Sequence, residues 1–408
     1  MPDQPELKSL DGLTDRLQTL HRRTQETPLF NPVFQLSHDI SRALESGQIS
    51  LDEVGTLVDD LVDSSLGARA GRLRRLLDPD AREDRLASLT KGDAADFDAF
   101  REAWSHPRMH AVFTAHPTFL LTPAQSDAVA QGALTGTTPS ADETEEAPEI
   151  TLKYEHESAM AAMAHAQDAR DAIVSAVLEA AQARWPDRWQ ELDPLPFRFA
   201  SWVGYDMDGR TDITWYTSIA FRLAEKAQRL ARYAASLEAI DSDHALIERM
   251  RTVEARTRDI SETFAGDLSD PAALTAAADR LTQAPGEALL SLAPIIEQLE
   301  SEARDAEPAE AVALRTLTAA MRADGLGMGW IHFRVNAKQL HNAIRRELSD
   351  AEIDLSSRGA MAALRDLLAK ATPQRANFAS LAVESSTAVR QFLAMAQILK
   401  HIDGDAPI

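Results

Sequence analysis

The chain has 408 residues, of which 44% are hydrophobic, so it is long enough for two or three domains with substantial cores. It carries 64 acidic and 42 basic residues, and the resulting net charge of −22 argues against nucleic acid or an anionic membrane as the main partner. The absence of cysteine excludes disulfides, thiolate zinc sites and cysteine nucleophiles. No window approaches the roughly 18 apolar residues that span a bilayer, and no leader pattern is present. We therefore expect a soluble cytoplasmic protein.

Most of the sequence is rich in Ala and Leu, with apolar residues spaced by three and four, which is typical of helices. One helix is predicted to begin after Ser50, which forms a capping-box pattern with Glu53 and precedes an apolar face from Leu51 to Val62. The other predicted helices span residues 34–46, 66–77, 94–104, 155–184, 213–239, 244–264, 285–305, 309–323, 336–348, 358–371 and 384–401. No fixed-period repeat supports a regular helical solenoid, although an irregular one remains an alternative architecture.

Residues 122–149 interrupt this helical pattern. The segment is rich in Gly, Thr, Ser, Pro and acidic residues and lacks apolar periodicity, so it is predicted to be a flexible surface loop.

Three short stretches, 111–115, 197–204 and 328–334, are rich in β-branched and aromatic residues and are predicted to be strands. Each is followed by polar residues and then, directly or through a loop, by a helix, as in βα units that present functional groups at the C-terminal ends of parallel strands. We predict a predominantly α-helical protein with a few parallel strands. Residues 1–108 form an N-terminal helical region, and residues 109–408 form a helical region that carries the strands.

The first strand leads into the sequence TAHPT at residues 114–118. This places the imidazole of His116 just beyond a strand, where Pro117 forces the chain out of the sheet. An imidazole in this position can carry a proton near neutral pH, or it can be a loop histidine that is hydrogen-bonded to the backbone.

The second strand leads into FASWVGYDMDGR at residues 199–210. The acids Asp206 and Asp208, followed by glycine, occur in calcium loops and also in ordinary turns, where aspartate bonds its own backbone. The remaining ligands of an EF-hand loop are absent, so the residue types alone favour a turn over a metal site.

The third stretch is GLGMGWIHFRVN at residues 325–336. Arg334 lies at the end of the predicted strand, where its planar guanidinium can bind a phosphate or carboxylate through two hydrogen bonds. A structural salt bridge is the alternative role.

These three motifs, in this order and with long helical spacers, resemble the N-terminal half of the phosphoenolpyruvate carboxylases. TAHPT is similar to the segment around the catalytic histidine of that family, and the second and third motifs are similar to its FGSWxGGDRDGNP and GLxLxxLDIRQE segments. The resemblance runs from about residue 30 to the end of the sequence. It implies a partial α/β barrel of the TIM type.

The resemblance implies that phosphoenolpyruvate and bicarbonate are converted to oxaloacetate and phosphate, with His116 as general base when carboxyphosphate decomposes. Arg334, Asp206, Asp208 and Arg210 would contribute to substrate binding. The family uses Mg²⁺ or Mn²⁺, whose ligands lie beyond the last matching motif, so no metal ligand is expected in this chain. We therefore expect the chain alone to be inactive and to act as a homo-oligomer, a tetramer in the family, or with a complementary C-terminal half.

The sequence also departs from the family pattern. The charged residues that usually follow TAHPT are replaced by apolar residues at 119–121, Met207 replaces an arginine, and His332 and Val335 replace Asp and Gln. Two alternatives to a carboxylase therefore remain. One is a non-catalytic carboxylase-like scaffold or regulatory protein, and the other is a helical interaction protein in which TAHPT is fortuitous.

Overall fold

The structure, a computed structural model, describes residues 7–26, 30–91, 96–114, 121–139, 149–207, 212–283, 288–347, 357, 359–370, 372 and 376–408. Helices dominate, and three short strands form one parallel sheet. The prediction of a mostly helical protein with a few parallel strands is confirmed. The chain divides into two compact units, residues 1–85 with 119–148 and residues 86–118 with 149–408.

The first unit is helical throughout its described part. Its helices are α1 (Leu10–Glu26), α2 (Pro32–Glu45), α3 (Leu51–Leu77) and α6 (Pro123–Thr135), and α4 (Arg82–Lys91) contains the boundary with the second unit. The predicted capping box is present, because Ser50 accepts from the Glu53 backbone and Glu53 accepts from the Ser50 backbone. On the predicted apolar face of α3, Leu57 is buried, whereas Leu61 is 55% exposed.

Helix α6 lies within the segment that the sequence predicted as a loop, so that prediction is wrong for residues 123–135. A capping box between Thr122 and Gln125 begins the helix, and a left-handed glycine, Gly136, ends it. Val129 packs against Leu66 of α3, so the small residues of α6 do form a core contact.

The second unit contains a short three-stranded sheet and the remaining helices. The strands are β1 (Met109–Phe113), β2 (Phe197–Ser201) and β3 (Trp330–Ile331). The helices are α5 (Phe97–Ser105), α7 (Leu152–Arg184), α8 (Trp215–Ile240), α9 (Ala245–Phe264), α10 (Pro271–Thr282), α11 (Ala293–Asp305), α12 (Pro308–Asp324), α13 (Ala337–Glu347), α14 (Ala360–Lys370), α15 (Phe378–Val383) and α16 (Thr387–His401). Helices α1, α4, α10 and α15 were not predicted, and residues 51–77 form one helix instead of two.

The sheet has the order β1-β2-β3, and both pairs are parallel. Phe113 is in register with Ser201, and Ser201 is in register with Ile331. All three strands therefore end at the same edge of the sheet, as expected for strands joined by helical crossovers. Strands β2 and β3 are shorter than predicted, whereas β1 has the predicted length but begins two residues earlier.

Helix α8 is the centre of the second unit. Its apolar residues contribute to two core clusters, one around Ile219, Phe264 and Ile398 and the other around Leu237 and Met250. A further cluster, which includes Met163 of α7 and Phe199 of β2, covers one face of the sheet. In the described part of the chain, no helix is both long and apolar enough to cross a membrane.

Candidate functional site

The C-terminal ends of the three strands are hydrogen-bonded to one another. The Ser201 hydroxyl donates to the carbonyl of Phe113 at 2.9 Å, and the backbone N–H of His332 donates to the carbonyl of Ser201 at 3.0 Å. The segments that follow β1, β2 and β3 consequently start side by side. This is the edge at which α/β proteins usually place their functional groups.

Asp206 and Arg334, two of the predicted site residues, meet at this edge. Arg334 Nη1 lies 3.3 Å from Asp206 Oδ2, and the guanidinium carbon lies 5.5 Å from the centroid of the Trp202 ring. The Arg334 side chain is 60% exposed, whereas the Asp206 side chain is 19% exposed. The carboxylate and the indole therefore hold a guanidinium that still faces solvent.

Helix α16 fixes the backbone around this ion pair. The side-chain amide of Gln391 donates to the carbonyl of Tyr205 at 2.7 Å and to the carbonyl of Arg334 at 2.8 Å. Gln391 is buried, so the segments after β2 and β3 share one rigid support.

A glycine turn sets the direction of the chain after β2. Gly204 has a φ of +84°, and the ring of Phe221 occupies the space that a side chain at residue 204 would need. Glycine is therefore required at this position of the second motif for a steric reason.

The other predicted site residues, His116, Asp208 and Arg210, lie outside the described residues. The structure thus brings together Asp206 and Arg334 and does not place the remaining three.

A buried ionic cluster lies beneath the site and was not predicted. Glu225 of α8 accepts from the Tyr205 hydroxyl at 2.7 Å and from Arg222 at 2.9 Å, and it lies 3.1 Å from His156 Nε2. Arg222 also pairs with Asp403. Tyr205 is the residue before Asp206, and its side chain is hydrogen-bonded to this cluster. The cluster therefore helps to fix the chain position at Asp206.

Electrostatics keep Glu225 ionised despite its burial. Burial raises the pKa of Glu225, but the hydrogen bond from His156 and the charge of Arg222 outweigh it, so the pKa lies below its ordinary value. Burial and the neighbouring Glu225 charge raise the pKa of Tyr205 well above its ordinary value, so the phenol remains a hydrogen-bond donor.

A second buried cluster positions the turn that leads into β3. Asp324 receives two hydrogen bonds from Arg170, at 2.7 and 2.8 Å, and it also pairs with Arg229. Gln167 donates to the carbonyl of Met328 at 2.7 Å. The glycine-rich third motif is therefore held by α7 and α8, upstream of Arg334.

Two histidines face each other across the sheet. The Nε2 atoms of His110 and His332 lie 2.9 Å apart, and their ring centroids lie 4.9 Å apart. Because the nitrogens are much closer than the centroids, the rings point at each other, with one donating and the other accepting. His332 was recognised in the sequence only as a departure from the family pattern, and His110 was missed.

In the described part of the chain, no group of three or more His, Asp or Glu side chains is arranged to hold a metal ion.

No protein-family model matches this chain, and no curated protein matches it significantly. The functional assignment consequently depends on the motifs and on the geometry of the residues that they place.

Proposed function

We propose that this chain is a phosphoenolpyruvate carboxylase-type protein that binds phosphoenolpyruvate at the strand-end site and supplies His116 as general base. The observation that carries this proposal is the ion pair between Asp206 and Arg334. These residues come from separate motifs that resemble the carboxylases, and they meet at the C-terminal edge of three parallel strands. In this proposal, the three strands are the first part of a TIM-type barrel.

Arg334 is suited to bind the substrate anion. Among the described residues, Asp206 is the only side chain that forms an ion pair with it, and this contact uses one edge of the guanidinium. The remaining N–H groups can bind the phosphate or carboxylate of phosphoenolpyruvate bidentately. The cation–π contact with Trp202 restrains the guanidinium before substrate arrives, which lowers the ordering cost of binding.

His116 follows the last residue of β1 by three positions, and β1 lies beside β2 in the sheet. In the proposed reaction, bicarbonate oxygen attacks phosphorus and the enolate of pyruvate leaves, which gives carboxyphosphate. His116 then accepts the carboxyl proton as carboxyphosphate decomposes to carbon dioxide and phosphate, and the enolate carbon attacks carbon dioxide to form oxaloacetate. An imidazole suits this role because its ordinary pKa is about 6.5.

The Mg²⁺ or Mn²⁺ of the family supplies Lewis-acid stabilisation of the anionic reactants and the enolate. We assign no metal ligand to this chain. Activity would therefore require the complementary C-terminal half, and assembly as a homo-oligomer remains a prediction.

The proposed role of His116 can be tested in a mixture of this chain with a complementary C-terminal half. Oxaloacetate is measured with coupled malate dehydrogenase, and phosphate release is measured in parallel. We expect His116→Asn to abolish oxaloacetate formation while bicarbonate-dependent phosphate release continues, because the base acts after the phosphoryl step. His165→Asn, which changes an exposed histidine of α7, is the matched control.

Equal loss of both products in His116→Asn would indicate a structural histidine. A non-catalytic carboxylase-like scaffold or regulatory protein is the second candidate. It is favoured by His332 and Val335, which stand where the family has Asp and Gln, and it predicts that no combination with a C-terminal half forms oxaloacetate.

A further inference from the structure

A cavity is lined by residues of β2, β3, α11 and α12 and by residues 403–407. Its volume is about 420 Å³, which is within the range of small-molecule sites. Arg198, near the start of β2, and Trp330, at the start of β3, contribute to its wall, together with Asp403 and Asp405 near the C-terminus and Glu297 of α11. None of these residues belongs to the proposed carboxylase site.

Arg198 presents an unused guanidinium to this cavity. The guanidinium carbon lies 4.7 Å from the centroid of the Trp330 ring, a cation–π contact that restrains the side chain. Its Nε is buried and has no hydrogen-bond partner among the described residues, nor does any described carboxylate form an ion pair with it. A carboxylate bound in the cavity would supply the anionic partner that this guanidinium lacks.

The charges around the cavity define the ligand further. Glu300 and Arg322, which also line it, pair with each other. Three other charged residues of the wall form no ion pair among the described residues: Arg198, Glu297 and Asp405. The wall of the cavity therefore carries one positive and two negative charges that are not paired. A ligand with one carboxylate and two ammonium groups balances this excess of negative charge.

From these contacts we infer that the cavity binds a small basic amino acid. Its carboxylate lies on Arg198, and its ammonium groups face the rim carboxylates of Glu297 and Asp405. The apolar stem of the ligand lies along Trp330 and Leu326, which also line the cavity. This site does not depend on the proposed carboxylase activity.

The test is calorimetric titration of the full chain with L-lysine as the probe. We expect saturable binding, weakened about tenfold or more by Arg198→Met, which removes the bidentate donor but keeps an apolar contact with Trp330. Asp405→Asn changes an exposed rim residue, so it preserves the fold and weakens lysine several-fold. Arg258→Met, at an exposed arginine of α9, should leave lysine affinity unchanged.

Comparison ligands separate the contacts. Butyrate and n-butylamine each retain only part of the interactions, so both should bind at least about tenfold more weakly than lysine. Absence of saturable lysine binding to the unaltered chain, or equal affinity in Arg198→Met, would overturn the proposed amino-acid site. Tighter binding of L-glutamate than of L-lysine would overturn the charge assignment.

Discussion

The guanidinium of Arg222 occupies the space that a side chain at residue 327 would need. Arg222 cannot easily move away, because it is fully buried and pairs with Glu225 and Asp403. Gly327 thus allows the turn between α12 and β3 to lie directly against the buried ionic cluster. The same turn leads to Arg334, the proposed anion-binding residue. The close packing at Gly327 therefore helps to set the position of Arg334.

Gly327→Ala should therefore destabilise the second unit. We expect the free energy of unfolding to fall by about 1–3 kcal/mol or more, because the added methyl group displaces a buried, paired guanidinium. Urea denaturation followed by circular dichroism measures the change. Gly266→Ala is the control, since the added Cβ would only make ordinary contact with Thr263 at 3.6 Å, and equal stability of the two variants would contradict the steric account.

Asp324 should be far more sensitive to neutralisation than a surface aspartate. Asp324→Asn leaves the buried charges of Arg170 and Arg229 without their shared carboxylate, and we expect a loss of about 3–5 kcal/mol in the free energy of unfolding. Asp259→Asn breaks a pair with Arg280 in which both side chains are about half exposed, and it should cost about 1 kcal/mol or less. Similar costs for the two variants in urea denaturation would argue against a buried ionic support for the third motif.

His332 should make stability depend on pH. Partial burial and the neighbouring charge of His110 lower the pKa of His332, so between that lowered pKa and the ordinary value of about 6.5 the unfolded chain binds more protons. The contribution of His332 to stability is therefore lost as the pH falls below about 6.5. The stability difference between the unaltered chain and His332→Asn should shrink between about pH 7 and pH 5.

This difference is measured by urea denaturation at successive pH values. His110→Asn removes the facing ring and should weaken the same pH dependence, whereas His165→Asn changes an exposed histidine and should leave it intact. A difference between the unaltered chain and His332→Asn that does not vary with pH would show that the histidine pair does not perturb protonation.

The sheet could be predicted because its strands combine β-branched and aromatic residues with polar residues at their C-terminal ends. Parallel pairing followed from the long helical connections, and Asp206 and Arg334 meet as the strand direction requires. Strand length could not be predicted as well. β3 has two residues, because the glycine turn before it is held by side-chain contacts from α7 that are distant in sequence.

Two features of the helices were missed because apolar periodicity does not reveal them. Helix α6 has few large apolar residues, but the capping box between Thr122 and Gln125 marks its start. The charged residues of α8 resemble a solvated helix face in the sequence. They are buried because their partners, such as Asp324 and Asp403, come from distant parts of the chain.

The histidine pair has a different origin. His110 lies in β1 and His332 directly follows β3. These two strands flank β2, so the contact depends on the strand order rather than on any local pattern. When the strand order is not known, the sequence gives no reason to expect a contact between two histidines that are 222 positions apart.

The most direct test of the proposed function is calorimetric titration of this chain with phosphoenolpyruvate. We expect saturable binding that Arg334→Met weakens about tenfold or more, because the bidentate guanidinium is lost. Arg258→Met is a matched control, since its side chain is 64% exposed and that of Arg334 is 60% exposed, and it should bind as the unaltered chain does. Equal phosphoenolpyruvate affinity in the Arg334 and Arg258 variants, or no binding to the unaltered chain, would contradict a phosphoenolpyruvate site at the strand ends.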